Sequence, residues 1–474
     1  MKKISLQFLV YAGISLVFLL IYARTTSPVY HIYGADSDVF MLMGKLMHQG
    51  EIPYVDFFDH KGPVLMFLMY ISYGFVQNKC AVLVLEAVFL VFTLWGIQKI
   101  IGLFDFEKKT KYVQFFGTLI AMAMFFDRGN TVGEYCLPFL MWSQYYTIQF
   151  FREKDLKKVF RYALFFGITF AICAYTRLTN AFPLCAEMLT ITLFFVHNKT
   201  WKELGKAIGG FISGCVIVSI PIFVYFYAVD AIPQMLYCTF TYNFRYAVIN
   251  QMTYQYTALD VIQYVLLFMS AIILSLAIGV INVKKQGNLS SILIYQGAFA
   301  MIFQFGSALY EHYLLVYAPT ILLGFLLLDM KKTAQKCIYY VLILSLVVGF
   351  GWSLWKSGDA FIHNDMSLTN EFKTMARVID EKDRDKVIAY NGGCYFYLAT
   401  GIDPCFKYIH LQDFQCAKDF SLYDELQDLL RSGKAKYIIH VTEKEFLPEV
   451  KEIVDEKYEV YMKTETHTML KRID

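Results

Sequence analysis

The stretch from Gly34 to Tyr70 places acids, a histidine and a lysine close together between two strongly apolar segments. Carboxylates take up protons or bind cations, whereas lysine and histidine bind anions. Acids and bases held together against a membrane face are what a reaction on a charged, lipid-borne substrate requires. The residues concerned are Asp36, Asp38, Glu51, Asp56, Asp59, His60 and Lys61.

Asp36 and Asp38 admit two interpretations. Aspartates directly before an apolar-periodic segment are typical of a helix N-terminus, so one interpretation is capping. In the other, one carboxylate is the general base for an acceptor hydroxyl, with Asp36 as first choice and Asp38 as the alternate. No cofactor is certain from the sequence, and this pair is the candidate site for a divalent cation, Mg²⁺ or Mn²⁺.

The composition predicts a multi-pass protein of the cell membrane. Of the 474 residues, 57% are hydrophobic, which is too apolar for an ordinary soluble globule. The formal net charge of +3 is small for this length, so nothing indicates a nucleic-acid partner. Membrane lipids are an expected partner.

Eleven apolar runs are long enough to cross a bilayer, allowing for short or tilted helices. With the N-terminus in the cytoplasm, every cytoplasmic loop contains at least two lysines or arginines, as the positive-inside rule requires. The opposite loops are poor in lysine. The runs are 4–22, 80–104, 112–126, 135–151, 159–176, 181–196, 207–229, 259–281, 290–307, 313–329 and 337–355.

The first outer loop, residues 23–79, is predicted to carry two helices of its own. Residues 37–48 have apolar side chains at the spacing of a helix that lies along an interface, and Gly50 ends it. Residues 64–77 are apolar but too short for a full span, so we interpret them as a juxtamembrane or re-entrant helix that begins at Pro63.

The composition changes after Trp355, where a charged and mixed segment begins. The pattern predicts strands at residues 386–390 and 436–441 and helices at residues 422–432 and 447–457. It predicts a last pair of strands over residues 458–472. We therefore predict a transmembrane domain of mostly α class over residues 1–355 and a small α/β domain over residues 356–474. Eleven crossings place this C-terminal domain outside the cytoplasm.

The first outer loop resembles that of membrane glycosyltransferases of the GT-C class. The likeness is to the family 39-like branch, which includes protein mannosyltransferases and lipid A aminoarabinose transferases. Those enzymes open with Asp-Glu and a helix and then reach Lys-Pro-Pro, and Asp36-Ser37 and Lys61-Gly62-Pro63 stand in the matching places here. Two later segments resemble outer-face motifs of the same class, namely residues 311–315 with Pro319 and residues 177–180.

The resemblance implies a polyprenyl phosphate-linked sugar donor and an acceptor hydroxyl on a glycan, lipid or protein. The lipid phosphate gains negative charge as it leaves, so it needs cations beside it. Lys61 is the first choice for this role, followed by Arg177, His60 and His312. Glu134 and Asp59 are candidates for orienting the acceptor or for another accessory role.

Two rival functions remain open from the sequence. Glu86 and Glu187 lie inside apolar runs and need a partner or a wet cavity, because a buried carboxylate is costly there. Together with Arg177 they would line the path of a transporter or flippase for lipid-linked glycans; in the structural interpretation, Glu187 pairs with Arg177. The other rival is a non-catalytic membrane scaffold that presents the C-terminal domain.

Overall fold

The structure is a computed structural model that describes residues 2–32, 34–253, 256–305, 308–356, 365–391, 393–411 and 419–473. It is mostly helical, with a small sheet near the C-terminus. The helices that precede the tail are α1 Lys2–Tyr22, α2 Ala35–His48, α3 Pro63–Met69, α4 Lys79–Gly102, α5 Lys108–Phe125, α6 Leu137–Glu153, α7 Val159–Thr176, α8 Phe182–His197, α9 Trp201–Ala228, α10 Ile232–Leu236, α11 Tyr242–Thr253, α12 Ala258–Tyr264, α13 Ser270–Phe305, α14 Ala318–Leu327 and α15 Thr333–Lys356.

Each of the eleven predicted apolar runs is mostly helical over its described residues. Within the described residues, six helices are both long and apolar enough to cross a membrane, and three shorter apolar helices accompany them. One of the six, Ala258–Phe305, has 48 residues and bends at Gly287, whose φ is 45°. A Cβ on Gly279 would lie 2.9 Å from the carbonyl oxygen of Ser290, so the chain folds back on itself at this bend. The residues between the predicted runs 259–281 and 290–307 are therefore helical except for a sharp bend at Gly287.

Helix α2 forms as predicted, and α3 begins at Pro63 as predicted but passes into a π-helix over Tyr70–Gly74. Helix α2 does not lie along a lipid interface. Residues 37–47 are all buried. On one side Gly44 packs so closely on α3 that a Cβ there would lie 2.5 Å from the carbonyl oxygen of Met69. On the other side the buried Lys45 pairs with Asp403 of the C-terminal segment at 2.8 Å. Protein therefore covers both faces of α2.

The tail forms the strands and helices that its sequence predicts. The strands are β1 Val387–Tyr390, β2 Tyr437–Val441, β3 Tyr458–Lys463 and β4 His467–Arg472, in the order β1-β2-β4-β3. Strands β1 and β2 are parallel and the other pairs antiparallel. The helices are α16 Ser367–Arg377, α17 Tyr395–Thr400, α18 Phe420–Ser432 and α19 Pro448–Lys457.

The segment from Gly401 to Leu411 joins this sheet to the first outer loop. It bridges to β1 through Pro404 and Leu411. Its Lys407 carbonyl oxygen accepts a hydrogen bond from the Phe58 amide at 2.7 Å, and its Tyr408 ring packs on Phe58. These contacts bring the tail against the acidic loop.

Candidate active site

A cavity of about 320 Å³ lies where the first outer loop, the loop before α6, the turn before α14 and the C-terminal segment meet. This volume is at the lower end of the range for small-molecule sites, about 300–1,000 Å³. Its polar lining includes Asp36, Asp59, His60, Lys61, Asp127, Arg128, Tyr246, Tyr310, His312, Tyr408 and His410.

Asp36 presents an accessible carboxylate to this cavity from the first turn of α2. The helix N-cap is Gly34 and no side chain caps it; both aspartates lie instead in the first turn of α2. In the described part of the chain the Asp36 carboxylate accepts no hydrogen bond. The surrounding protein opposes its ionisation, but the charge of Lys61, helped by His312 and His410, outweighs this effect and holds the pKa of Asp36 below its ordinary value. Asp36 is therefore ionised at neutral pH.

Asp38 lies two residues further along α2 and has a different environment. Only 4% of it is exposed, and it is outside the cavity lining. Burial raises its pKa well above the ordinary value, although the Gly34 amide and Lys79 favour the charged form. Burial therefore favours the protonated form of Asp38, and of the two aspartates Asp36 has the charge and position of a base.

The cation opposite Asp36 is Lys61, which is 8% exposed. Its ammonium group donates to Nε2 of His60 at 3.0 Å, and no carboxylate among the described residues is recorded as its ion-pair partner. Nδ1 of His60 lies 2.9 Å from Oδ1 of Asn243. The Asn243 amide nitrogen donates to three carbonyl oxygens, those of His60, Cys238 and Thr239, so Oδ1 is the atom left to accept.

These contacts fix the protonation of His60. Nδ1 donates to Asn243, and Nε2 keeps its lone pair for the lysine. Burial and the charge of Lys61 lower the pKa of His60 to about 4. His60 is thus neutral at physiological pH and acts as a hydrogen-bond acceptor that orients the Lys61 ammonium group.

The backbone at Lys61 is held by a tight local turn. Oδ1 of Asp59 accepts a hydrogen bond from the Lys61 amide at 2.7 Å. Gly62 then passes so close to α7 that a Cβ would lie 1.9 Å from the carbonyl oxygen of Tyr175. Pro63 follows as the first residue of α3, where its missing N–H costs nothing. The contacts of Asp59, Gly62 and Pro63 therefore fix the position of the Lys61 backbone at the cavity.

The loop before α6 forms another wall of the cavity. Its residues from Asp127 to Asn130 all have positive φ, between 42° and 87°, a strained arrangement for residues other than glycine. The Arg128 carbonyl oxygen accepts from the Thr25 amide at 3.0 Å, and Oε1 of Glu86 accepts from the Asn130 amide at 2.6 Å. These bonds hold Asp127 and Arg128 at the cavity.

Glu134 lies behind this loop and outside the cavity lining. Its Oε1 accepts from the amide and hydroxyl of Thr131, both at 2.8 Å. Burial, followed by the charge of Glu86, raises the pKa of Glu134 well above its ordinary value, which favours the protonated form of Glu134. Glu86 and Glu134 therefore hold this loop in place through their hydrogen bonds to Asn130 and Thr131.

The other predicted cations have local partners. Arg177 donates from Nε and Nη2 to Oδ1 of Asn180, at 3.2 and 2.9 Å, and its guanidinium lies 4.1 Å from the centre of the Tyr313 ring. It thus touches the cavity only through Tyr313. His312 lines the cavity directly and lies 3.0 Å from the carboxylate of Asp127.

Glu187 does not pair with Arg177. Its carboxylate accepts from the Thr147 hydroxyl at 2.7 Å and from the Gln296 amide at 3.3 Å. Glu86 accepts from the Thr26 hydroxyl at 2.5 Å as well as from Asn130. Both intramembrane acids have the hydrogen-bond partners that their burial demands, and neither lines the cavity.

Five of the eight predicted site residues share the cavity, namely Asp36, Asp59, His60, Lys61 and His312. Asp38, Arg177 and Glu134 lie outside its lining. Sequence reasoning missed His410 and Tyr408, which enter from the C-terminal segment. No local motif marks them, because their position depends on the pairing of that segment with β1 and with Phe58.

A divalent cation fits this cavity poorly. The described residues contain no group of three or more His, Cys, Asp or Glu side chains that could hold a metal ion. Of the proposed ligand pair, only Asp36 faces the cavity, and its carboxylate is influenced by the positive Lys61. The donor set is therefore unlike the cluster of oxygen ligands that Mg²⁺ or Mn²⁺ requires.

No family model and no curated protein matches this sequence. The structure does match that of ArnT from Cupriavidus metallidurans, crystallised with undecaprenyl phosphate, with a TM-score of 0.63. The match covers 98% of this chain and 97% of ArnT, at 10% sequence identity. The likeness thus shows the fold, a polytopic helical membrane architecture with a small C-terminal sheet, and confirms the fold class expected from the sequence.

Proposed function

We propose that the chain is an inverting glycosyltransferase, which moves a sugar from a polyprenyl phosphate to an acceptor hydroxyl on the outer face of the membrane. One observation carries the proposal. A carboxylate and an ammonium group, on Asp36 and Lys61, serve one cavity, and neither is recorded in an ion pair with another described residue. A buried charge normally has a partner, so the Lys61 ammonium group favours an anionic ligand group. The accessible Asp36 carboxylate can accept the proton of a hydroxyl in the same cavity.

The fold supports the lipid part of the donor. ArnT, which shares this fold, was crystallised with undecaprenyl phosphate. A polyprenyl phosphate sugar carries one negative charge beside the anomeric carbon and a long apolar chain. Lys61 and Arg128 offer the phosphate a cationic wall, and the His312 ring lies in the same lining. We infer that Arg177 supports this wall indirectly, by fixing the Tyr313 ring.

The proposed reaction is a single displacement. The acceptor oxygen attacks the anomeric carbon while its proton passes to the Asp36 carboxylate. The bond from the anomeric carbon to the phosphate oxygen breaks, and its electron pair stays on the phosphate. The charge of the lipid phosphate rises from about −1 to −2, which Lys61 stabilises more strongly in the transition state than in the ground state. Attack opposite the leaving group inverts the anomeric configuration.

Binding of the product lipid tests this assignment of charges. The full-length protein in detergent is titrated with undecaprenyl phosphate and followed by native mass spectrometry. Lys61→Gln should weaken binding about tenfold or more, because a charge-assisted hydrogen bond contributes about 1.5–3 kcal/mol. Asp36→Asn is the matched control, since it removes a negative charge and should bind the lipid as well as wild type or better. Equal binding by wild type and Lys61→Gln would overturn the phosphate assignment.

Glycan analysis tests the activity itself. Cells that lack the protein should accumulate the lipid-linked donor and lose one sugar from a surface glycan, glycolipid or protein, and wild-type protein should restore that sugar. Unchanged glycans and lipid-linked sugars would contradict the proposal. Transfer by purified protein without vesicles would exclude the rival transporter and scaffold functions.

A further inference from the structure

A second large cavity lies at the end of the helix bundle remote from Asp36. It is a groove of about 950 Å³ between the first half of α1, the last two turns of α4 and the start of α5. From Gln7 in the groove to Tyr22, the last residue of α1, the helix rises roughly 22 Å at about 1.5 Å per residue. That rise is about three quarters of the roughly 30 Å thickness of a bilayer core. The groove and the first cavity, which Thr25 lines, therefore lie toward opposite ends of the bundle.

The groove has an apolar wall and a basic rim. Its apolar wall includes Phe8, Ile14, Phe115 and Phe116. Lys99, Lys108 and Lys111 line it at the end where α4 stops and α5 begins. Among the described residues, none of the three forms an ion pair, whereas Lys158 and Lys285 do pair with acids.

Aromatic rings and amides add to the recognition surface. The ammonium group of Lys99 lies 6.0 Å from the ring centre of Trp95, and that of Lys108 lies 5.7 Å from Tyr112. Both rings line the groove. The Tyr11 hydroxyl donates to the Gln98 side chain inside it. Rings at this depth are typical of the headgroup level of a membrane.

We propose that this groove binds an anionic membrane lipid, with the phosphate of the headgroup at the three lysines and the acyl chains along the apolar wall. The two ends of the groove match the two ends of such a lipid. Basic pockets between membrane helices on the cytoplasmic side are suited to phosphate headgroups. A soluble phosphate would leave the apolar wall unfilled, and a zwitterionic lipid would leave the lysines without a net anion.

Gly102 allows the groove to be tested apart from its charge. It ends α4, lines the groove, and has no atom within 4 Å of a Cβ built upon it. Gly102→Phe should therefore fill the space without displacing neighbours or removing a lysine. If the lysines attract lipids only as a positive surface, this change will have no effect.

The experiment uses the full-length, delipidated protein in detergent, titrated with dioleoyl phosphatidylglycerol and followed by native mass spectrometry. The triple variant Lys99→Gln, Lys108→Gln, Lys111→Gln should bind the first lipid at least tenfold more weakly than wild type, and so should Gly102→Phe. The control triple Lys109→Gln, Lys157→Gln, Lys202→Gln removes the same charge outside the groove and should bind like wild type. Thermal unfolding checks that each variant is folded. If the lysine triple variant does not fold, the binding measured for Gly102→Phe alone tests the proposal.

Two further ligands separate the headgroup from the chains. Dioleoyl phosphatidylcholine should bind at least tenfold more weakly than phosphatidylglycerol, and equimolar inorganic phosphate should not displace the lipid. The proposal is overturned if phosphatidylcholine binds equally, if phosphate displaces the lipid, or if either groove variant binds like wild type. It is also overturned if the control triple loses binding as much as the groove triple.

Discussion

Asp36→Asn and Asp38→Asn should have opposite consequences although the two aspartates share one helical turn. Asn is neutral and similar in shape to protonated aspartic acid. It therefore resembles the protonated form of Asp38 that burial favours, but it removes the ionised carboxylate of Asp36. The amide nitrogen of Asn can also make the donor contacts of a protonated carboxyl group.

The expected magnitudes follow from these roles. Loss of a general base costs about 10²- to 10⁴-fold in rate, or about 3–5.5 kcal/mol of transition-state stabilisation. We therefore expect Asp36→Asn to lower the turnover number by at least 100-fold. Asp38→Asn should lower it by less than about threefold, because Asp38 is 4% exposed and lies outside the cavity lining.

The assay follows sugar transfer by purified protein, with lipid-linked sugars extracted from cells that lack the protein. Binding of undecaprenyl phosphate is measured on the same preparations, so that a loss of transfer is not confused with a loss of donor binding. Comparable losses in both variants would refute the distinction between the aspartates. A larger loss in Asp38→Asn would transfer the role of base to Asp38.

Three further predictions concern the rest of the site. His410→Gln should lower kcat/KM about 5- to 50-fold with unchanged thermal unfolding, because Nδ1 of His410 is buried without a hydrogen-bond partner in the described structure and a substrate hydroxyl would supply one. His60 is neutral when folded, with a pKa of about 4, but is protonated below about 6.5 when unfolded, so stability should fall as the pH drops from 6.5 to 4 by at most about 3 kcal/mol. His60→Asn should reduce this loss in thermal-unfolding curves recorded across that range. Gly62→Ala should destabilise the protein by about 1–3 kcal/mol, since its Cβ would lie 1.9 Å from the Tyr175 carbonyl oxygen, whereas Gly205→Ala, which meets no atom within 4 Å, should be neutral or stabilising in the same melts.

Local patterns predicted the helices and strands well because the signals for them lie within a few residues. Pro63 begins α3, Gly50 ends the region of α2 with a φ of 100°, and the strands of the tail fall where their apolar residues predict. The side of the membrane on which each loop lies remains a prediction from the lysine distribution.

Contacts between distant segments were not predictable in the same way. The apolar spacing of α2 is typical of an interfacial helix, but the spacing contains no information about the tail that covers it through Asp403. Likewise, the sequence placed Glu187 near Arg177, whereas packing directs Arg177 to Asn180 and Glu187 to Thr147. The distinction between Asp36 and Asp38 depends on how deeply each is buried, and their nearly adjacent positions in the sequence do not show this.

In the proposed reaction, the donor changes the strength of the base beside it. Without a ligand, the charge of Lys61 keeps the pKa of Asp36 low, which makes Asp36 an ionised but weak base. A phosphate placed at Lys61 cancels much of that field and adds a negative charge of its own, and both effects raise the pKa of Asp36. The carboxylate thus becomes more basic when the donor is bound, as a general base that acts at neutral pH requires. The same ammonium group that holds the leaving phosphate therefore couples donor binding to activation of the acceptor.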